Sequence, residues 1–419
     1  MRFIYSTLLY LAAPWLFLRL LLRSRRTPEL RKHWAERLGF CPYQFDQCIW
    51  VHAVSVGETI AAIPLIKALK KQYPDIPLLV TNMTATGSAR VKAALGDTVF
   101  NAYIPYDWPD AVSRFLARIQ PKIAIIMETE LWPNLFAQCQ QRHIPMMIAN
   151  ARLSEKSAQG YQRVASLTRD MLTAVTILAV QAKPDADRFV ALGMPKDRVN
   201  IIGNIKFDME LPQDLQTKQI ALRKQLGSER LIWIAASTHP GEEEIILAAH
   251  RLIKEKFPQA LLILVPRHPE RFDSIAELIT QNNFRVARRS RNEICNVGVD
   301  VYLADTMGEM MLMYAVCDVA FVGGSFASIG GHNMLEPAAL HKPIIVGPQL
   351  FNFAEISAML FTANGMIKVE NTDQLVQTVS ALFSDKNKRD MLGENAFQVV
   401  EKNRGALKRH LDLIESIIS

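Results

Sequence analysis

Short apolar runs alternate with helical-period segments along most of the 419-residue chain, the pattern of parallel sheets wrapped by helices. Ile49–Val54, Leu78–Thr81, Ile123–Met127, Met146–Ala149 and Val199–Ile202 are predicted as strands of one sheet. A second series opens at Leu231–Ala235 and continues through Leu261–Val265, Val319–Val322 and Ile344–Val346. The polar stretch between them, 208–227, reads as linker plus helix and marks the division. A chain of this length exceeds what one core usually supports, so two domains are expected. The predicted fold class is therefore α/β, with one doubly wound domain over 27–207 and another over 228–385. Helices over 386–419 are expected to cross back and brace the first. Ligands in such folds bind outside the carboxyl ends of strands, in the cleft between facing domains, so strand ends are where chemistry is sought.

Residues 1–26 differ in kind. Phe3–Leu18 carries no charge and is followed by Arg19, Arg23, Arg25, Arg26, Arg31 and Lys32, which reads as a membrane anchor with a basic flank. Positive charge on that side places the rest of the protein in the cytoplasm. The run is short for a full span unless Arg19 snorkels. A cleaved signal peptide fits less well, because the basic residues follow the apolar run. The formal net charge of +7 favours an anionic partner, whether nucleic acid, phospholipid or a phosphorylated substrate. No strand interleaves aromatics with Arg and Lys, which argues against nucleic acid. The five cysteines are scattered and never spaced as Cys-x-x-Cys, which suggests a reducing compartment and no structural zinc.

Several predicted strands end in residues suited to chemistry. Ile49–Val54 runs into Ser55-Val56-Gly57-Glu58, where a carboxylate can take a proton from a hydroxyl, or simply favour the positive end of its helix. Ile123–Met127 delivers Glu128-Thr129-Glu130-Leu131-Trp132-Pro133, two acids beside an aromatic, one of which also fits a helix cap. Val199–Ile202 leads to Lys206, suited to a leaving phosphate or to a solvated linker. In the second series, Ser237 and Thr238 offer hydroxyls at a helix start, and Pro266-Arg267-His268 brings a guanidinium and an imidazole to a strand end. Asp305-Thr306-Met307-Gly308-Glu309 follows a further short strand. Ala320-Phe321-Val322 runs into Gly323-Gly324-Ser325, whose N–H groups can approach a phosphate, and then into Asn333-Met334-Leu335-Glu336. There an acid in the first helical turn suits a ribose hydroxyl, and Asn-x-x-Glu equally fits a capping box. The basic run Arg285–Arg291 reads as a solvated surface, or as a contact for anionic lipid.

Taken together, His52-Ala53-Val54-Ser55-Val56-Gly57-Glu58, Glu128-Thr129-Glu130-Leu131-Trp132-Pro133-Asn134, Asn150-Ala151-Arg152-Leu153-Ser154, Gly203-Asn204-Ile205-Lys206-Phe207-Asp208, Pro266-Arg267-His268-Pro269 and Gly331-His332-Asn333-Met334-Leu335-Glu336-Pro337 resemble the Kdo transferases of lipopolysaccharide assembly. The resemblance implies a GT-B fold and metal-independent, inverting transfer of 3-deoxy-D-manno-oct-2-ulosonic acid (Kdo) from CMP-Kdo to a lipid A precursor, lipid IVA, with no cofactor. By motif it makes Glu58 the general base and assigns transition-state stabilisation to Glu128 and Lys206. Pro266, Arg267, Met307, Gly308, Glu309, Asn333, Met334, Leu335 and Glu336 would hold CMP; Ser237, Thr238, His268, Gly323, Gly324 and Ser325 are further donor-site candidates. The implied setting is the cytoplasmic face of a bacterial inner membrane, with anionic lipid as a partner. Two rivals are another sugar-nucleotide enzyme, such as a UDP-sugar transferase or epimerase, and a silent membrane scaffold that binds a nucleotide sugar.

Overall fold

The computed structural model describes residues 1–15, 17, 18, 22 and 33–418. The chain divides into two compact units, 1–208 with 403–419, and 209–402. Each is built on a seven-stranded sheet in which every pairing is parallel.

In the first unit the strands are β1 (Cys48–His52), β2 (Leu78–Asn82), β3 (Phe100–Tyr103), β4 (Pro121–Met127), β5 (Met146–Ala151), β6 (Ile177–Val180) and β7 (Val199–Ile201), in the order β3-β2-β1-β4-β5-β6-β7. All five residues of β1 are buried, as a strand covered on both faces requires. Cys48 and Trp50 enter one core while Ile49 and Val51 enter the other, so successive side chains feed opposite layers. The second unit repeats the scheme with β8 (Ile232–Thr238), β9 (Leu261–Pro266), β10 (Val286–Arg288), β11 (Val301–Leu303), β12 (Val319–Val322), β13 (Ile344–Val346) and β14 (Met366–Lys368), ordered β10-β11-β9-β8-β12-β13-β14. Both orders reverse direction beside the first strand of the unit, the switch point at which such sheets bind ligands.

Two boundaries differ from the sequence reading. The stretch 208–227 belongs to the second unit from Met209 onward, because its helix Leu215–Leu226 buries Leu215, Leu222 and Leu226 in that unit's core. The return to the first unit comes at Asn403 rather than at Lys386. Leu392 of the helix Lys386–Asn403 enters the second unit's core, and Gly365 lies so close to Ala396 that a Cβ would meet its backbone at 2.7 Å. Only the last helix, Ala406–Ile418, packs on the first sheet, through Ala406, Ile414 and Ile418.

At the N-terminus, helix Arg2–Leu11 lies on the first unit. Ser6 Oγ donates to Asn134 at 3.1 Å, Tyr10 Oη to Asp110 at 2.6 Å, and Trp108 Nε1 to the Leu9 carbonyl at 3.2 Å. Phe3, Ile4, Leu8 and Leu11 are exposed. No helix among the described residues is long and apolar enough to cross a membrane. The predicted basic flank, Arg19 to Lys32, lies outside the described residues.

Candidate active site

β1 ends at His52, and Ser55 caps the helix Val56–Gln72 by accepting the Glu58 N–H at 3.3 Å. The Ser55 hydroxyl donates back to Glu58 Oε1 at 2.8 Å, and the Val54 N–H donates to Oε2 at 2.8 Å. This is a reciprocal cap, so the structural reading of Glu58 is real. It also fixes the carboxylate: Glu58 is only 7% exposed. Burial raises its proton affinity, the hydrogen bonds from Ser55 and Val54 offset part of that, and the negative charge of Glu128 adds to it.

β4 ends at Met127, and Glu128 turns the chain with φ of 55°. A non-glycine residue in that region is strained and is held by its surroundings. Its N–H bonds the Ala149 carbonyl at 2.9 Å, its Oε2 accepts Arg152 Nε at 2.8 Å, and Lys206 Nζ lies 3.6 Å from Oε1. Two residues on, Glu130 Oε2 accepts Trp132 Nε1 at 2.9 Å. Burial, joined by the charges of Glu58 and Glu128, pushes the Glu130 carboxyl up to about 7 despite that bond. Lys206 sits on the turn Ile205–Phe207 after β7, where Asn204 Oδ1 caps the Lys206 N–H at 3.0 Å. The first unit thus gathers Glu58, Glu128, Glu130 and Lys206 after the carboxyl ends of β1, β4 and β7. Such a group can hold and move a proton while offering a cation to developing negative charge.

In the second unit several expected phosphate ligands are occupied by the protein itself. The buried Glu242 carboxylate accepts the N–H groups of His239 at 2.9 Å, Gly324 at 2.7 Å, Ser325 at 3.1 Å and Phe326 at 2.9 Å. The Gly323 N–H goes to the Ala236 carbonyl at 2.7 Å. The N–H groups of Gly323, Gly324 and Ser325 are therefore not free for a phosphate: that of Gly323 extends the strand pairing, and a side-chain carboxylate already fills the nest of Gly324 and Ser325. Glycine is needed at 323 for packing, since a Cβ would meet the carbonyls of Ala236 and Ser237 at 2.8 Å. The buried Thr238 hydroxyl is likewise taken, donating to Glu243 at 2.8 Å, and Arg271 forks onto the same acid at 2.7 and 2.9 Å. Ser237 is half-buried at φ of 58°.

Arg267 and His268 at the end of β9 are exposed. Beside them His239 Nε2 and His332 Nε2 lie 2.7 Å apart, with the His268 ring edge-on to His239. Burial, then the nearby His239 and Arg267, pushes His332 down to about 4. Met307 and Gly308 are exposed, while Glu309 is forked by Arg289 at 3.1 and 2.7 Å. Met334 and Leu335 are wholly buried, main chain included. Asn333 Nδ2 donates to Glu336 at 3.2 Å, and its Oδ1 accepts the Leu335 N–H at 3.2 Å, so the capping reading holds there too.

Residues 32–209 match the family model described as 3-deoxy-D-manno-octulosonic-acid transferase (kdotransferase), and 229–399 match that of glycosyl transferases group 1. The 3-deoxy-D-manno-octulosonic acid transferase of Haemophilus influenzae is 46% identical over 99% of this chain and 98% of its own. The chain belongs to the Kdo transferase family. The Bordetella pertussis Kdo transferase is 35% identical over 88% of this chain and 86% of its own. Among solved structures, a UDP-GlcNAc 2-epimerase from Neisseria meningitidis superposes with a TM-score of 0.60 at 13% identity, covering 88% of this chain and all of that one. MurG of Acinetobacter baumannii gives 0.55 at 10% identity, over 88% and 99%. At such identities these two share the fold alone, two parallel-sheet Rossmann-like α/β domains of the GT-B class, as the sequence predicted.

In this Kdo transferase-family chain, the three residues singled out in the first unit separate into a pair and a neighbour. Glu128 and Lys206 are in direct contact, while Glu58 is close enough for its charge to raise Glu130. Two participants were not singled out. Arg152 holds Glu128; like Glu130 it lay in a quoted motif, at the end of a strand, but was given no role. Glu130 lay in a quoted motif, but its unusual proton affinity comes from a pocket that spacing does not reveal. Of the basic run Arg285–Arg291, Arg285 and Arg291 are exposed as expected, but Arg288 reaches Asp305 and Asp273 at 2.7 Å each, and Arg289 holds Glu309. These pairs anchor the loop that carries Met307 and Gly308.

Proposed function

We propose that this protein is an inverting glycosyltransferase that moves Kdo from CMP-Kdo to a hydroxyl of a lipid A precursor, lipid IVA, without metal or cofactor. The observation that carries the reading is the cluster of Glu58, Glu128 and Lys206 at strand ends of the first unit, in a chain of this family. Glu58 takes the proton of the attacking hydroxyl, and its raised affinity suits a base that must accept a proton near neutral pH. Lys206, oriented by Glu128, offsets the charge that develops as the phosphate leaves. Arg267 and the segments Asn333–Glu336 and Met307–Glu309 hold the nucleotide.

Membrane attachment belongs to the same reading. The exposed Phe3, Ile4, Leu8 and Leu11 of the first helix suit burial in the cytoplasmic leaflet of the inner membrane, and the basic residues that follow suit its anionic lipid. An acyl-chain acceptor is met there. The test is mass spectrometry of a tetraacylated lipid A precursor incubated with CMP-Kdo and the detergent-solubilised full chain. The expected result is a gain of one or more Kdo masses. No gain from folded protein, with turnover of a UDP-sugar instead, would overturn the assignment.

A further inference from the structure

The C-terminal helix of the first unit is tied, through one side chain and Asn150, to the turn that carries Lys206. β5 breaks register with β6 between Ile148 and Ala151, and Asn150 sits in that irregularity with φ of 53°. A residue bulged out of a ladder leaves its N–H to be paired elsewhere. Here the Asn150 N–H donates to His410 Nε2 at 2.9 Å. His410 Nδ1 lies 2.7 Å from the Ala406 carbonyl, which can only accept, so the proton sits on Nδ1 and Nε2 presents its lone pair. The ring is wholly buried, and burial pushes it down to about 4, so it stays neutral at ordinary pH.

Asn150 passes this restraint on in two directions. Its Oδ1 accepts the Ile205 N–H at 3.1 Å, directly before Lys206. Its carbonyl accepts Gln181 Nε2 at 2.8 Å, and Gln181 Oε1 accepts Asn204 Nδ2 at 2.8 Å, the residue whose own oxygen caps Lys206. Two residues after Asn150, Arg152 holds the other oxygen of Glu128. The same terminal segment grips the far side of the turn: Asp208 accepts the N–H groups of Gly405 and Leu407 at 2.5 Å each, and Arg409 Nε donates to the Ile202 carbonyl at 2.9 Å.

We propose that His410 is a positioning residue for transfer: by accepting the Asn150 N–H, the C-terminal helix sets the Lys206 turn at the distance from Glu128 that the reaction uses. This rests on the reading that Lys206 and Glu128 act in the transition state. His410→Leu fills similar space without an acceptor, and His410→Gln restores an acceptor oxygen. The Leu variant is expected to lose tenfold or more in kcat with CMP affinity unchanged, and the Gln variant to recover most of it. On a Lys206→Ala background His410→Leu should cost less than a further twofold, because the group through which it acts is gone. Should His410→Leu not fold, His410→Asn, too short to reach Asn150, carries the same expectations. Wild-type kcat in the Leu variant, or the same tenfold loss on the Lys206→Ala background, would overturn the proposal. Amide exchange separates the two readings. Faster exchange at Asn150 and Ile205 in the Leu variant is expected even if the wild type transfers no Kdo, and unchanged exchange would refute the brace itself.

Discussion

The two units use the same architecture to treat their acids in opposite ways. In the first, burial dominates: Glu58 is raised, Glu130 is pushed up to about 7, and Asp107 to about 6 although it caps the N–H groups of Asn134 and Leu135. In the second, partners dominate. Glu309 is lowered by the Arg289 fork, and Asp305 and Asp300 are lowered because bonds from Ser290 and Arg288, and from Lys254, outweigh their burial. In the first unit Glu128 holds two cations while Glu58 and Glu130 beside it hold neutral donors only, an arrangement suited to proton transfer. Strand ends that supply an arginine or a set of N–H groups for each acid make a rigid frame around exposed ligands such as Arg267.

The largest effect expected from this contrast is at Lys206. Lys206→Met should lower kcat by about 10²–10³-fold, the size typical of one lost electrostatic stabiliser, with CMP affinity intact. A parallel loss of CMP affinity would blur the division between the units. Next comes Glu242→Ala, which orphans buried N–H groups at His239, Gly324, Ser325 and Phe326. It should destabilise the second unit by about 3 kcal/mol, read as earlier melting of that unit while the first keeps its amide protection. Unchanged melting would mean that the nest does not depend on this carboxylate.

Arg267→Ala should weaken CMP by about 10–100-fold, or about 1.5–3 kcal/mol for a charged hydrogen bond, with kcat at saturating donor little changed. The smallest effect concerns Glu130. Its carboxyl keeps a proton in the fold that the unfolded chain gives up near 4.5, so its contribution is complete at low pH and is lost as pH rises through about 7. Glu130→Gln should therefore gain on the wild type by about 1.3 kcal/mol as denaturation is moved from pH 6 to pH 8. A variant that loses ground over that range would mean Glu130 is ionised and held.

Nine predicted strands form close to their expected places because each is a buried apolar run between turns. The strands that escaped notice are β3, β6, β10 and β14. Three of these lie at sheet edges, where polar residues such as the half-buried Asn101 and the exposed Lys368 break the apolar run. The placement of Glu58 and Lys206 was legible because each follows a buried strand within a few residues. The roles of Gly323, Gly324, Ser325 and Thr238 were not. A glycine nest filled by a phosphate and one filled by Glu242 have the same local sequence, and the acid that fills it lies 82 residues from Gly324. His410 is less legible still, since 260 residues separate it from Asn150.

The central claim is that proton transfer resides in the first unit and nucleotide holding in the second. It is tested most directly by measuring kcat for Kdo transfer and Kd for CMP together on Glu58→Gln. The account predicts that transfer falls at least ~10³-fold while the CMP Kd stays within about twofold. Near-normal transfer, or a CMP affinity that falls in step with transfer, would contradict it.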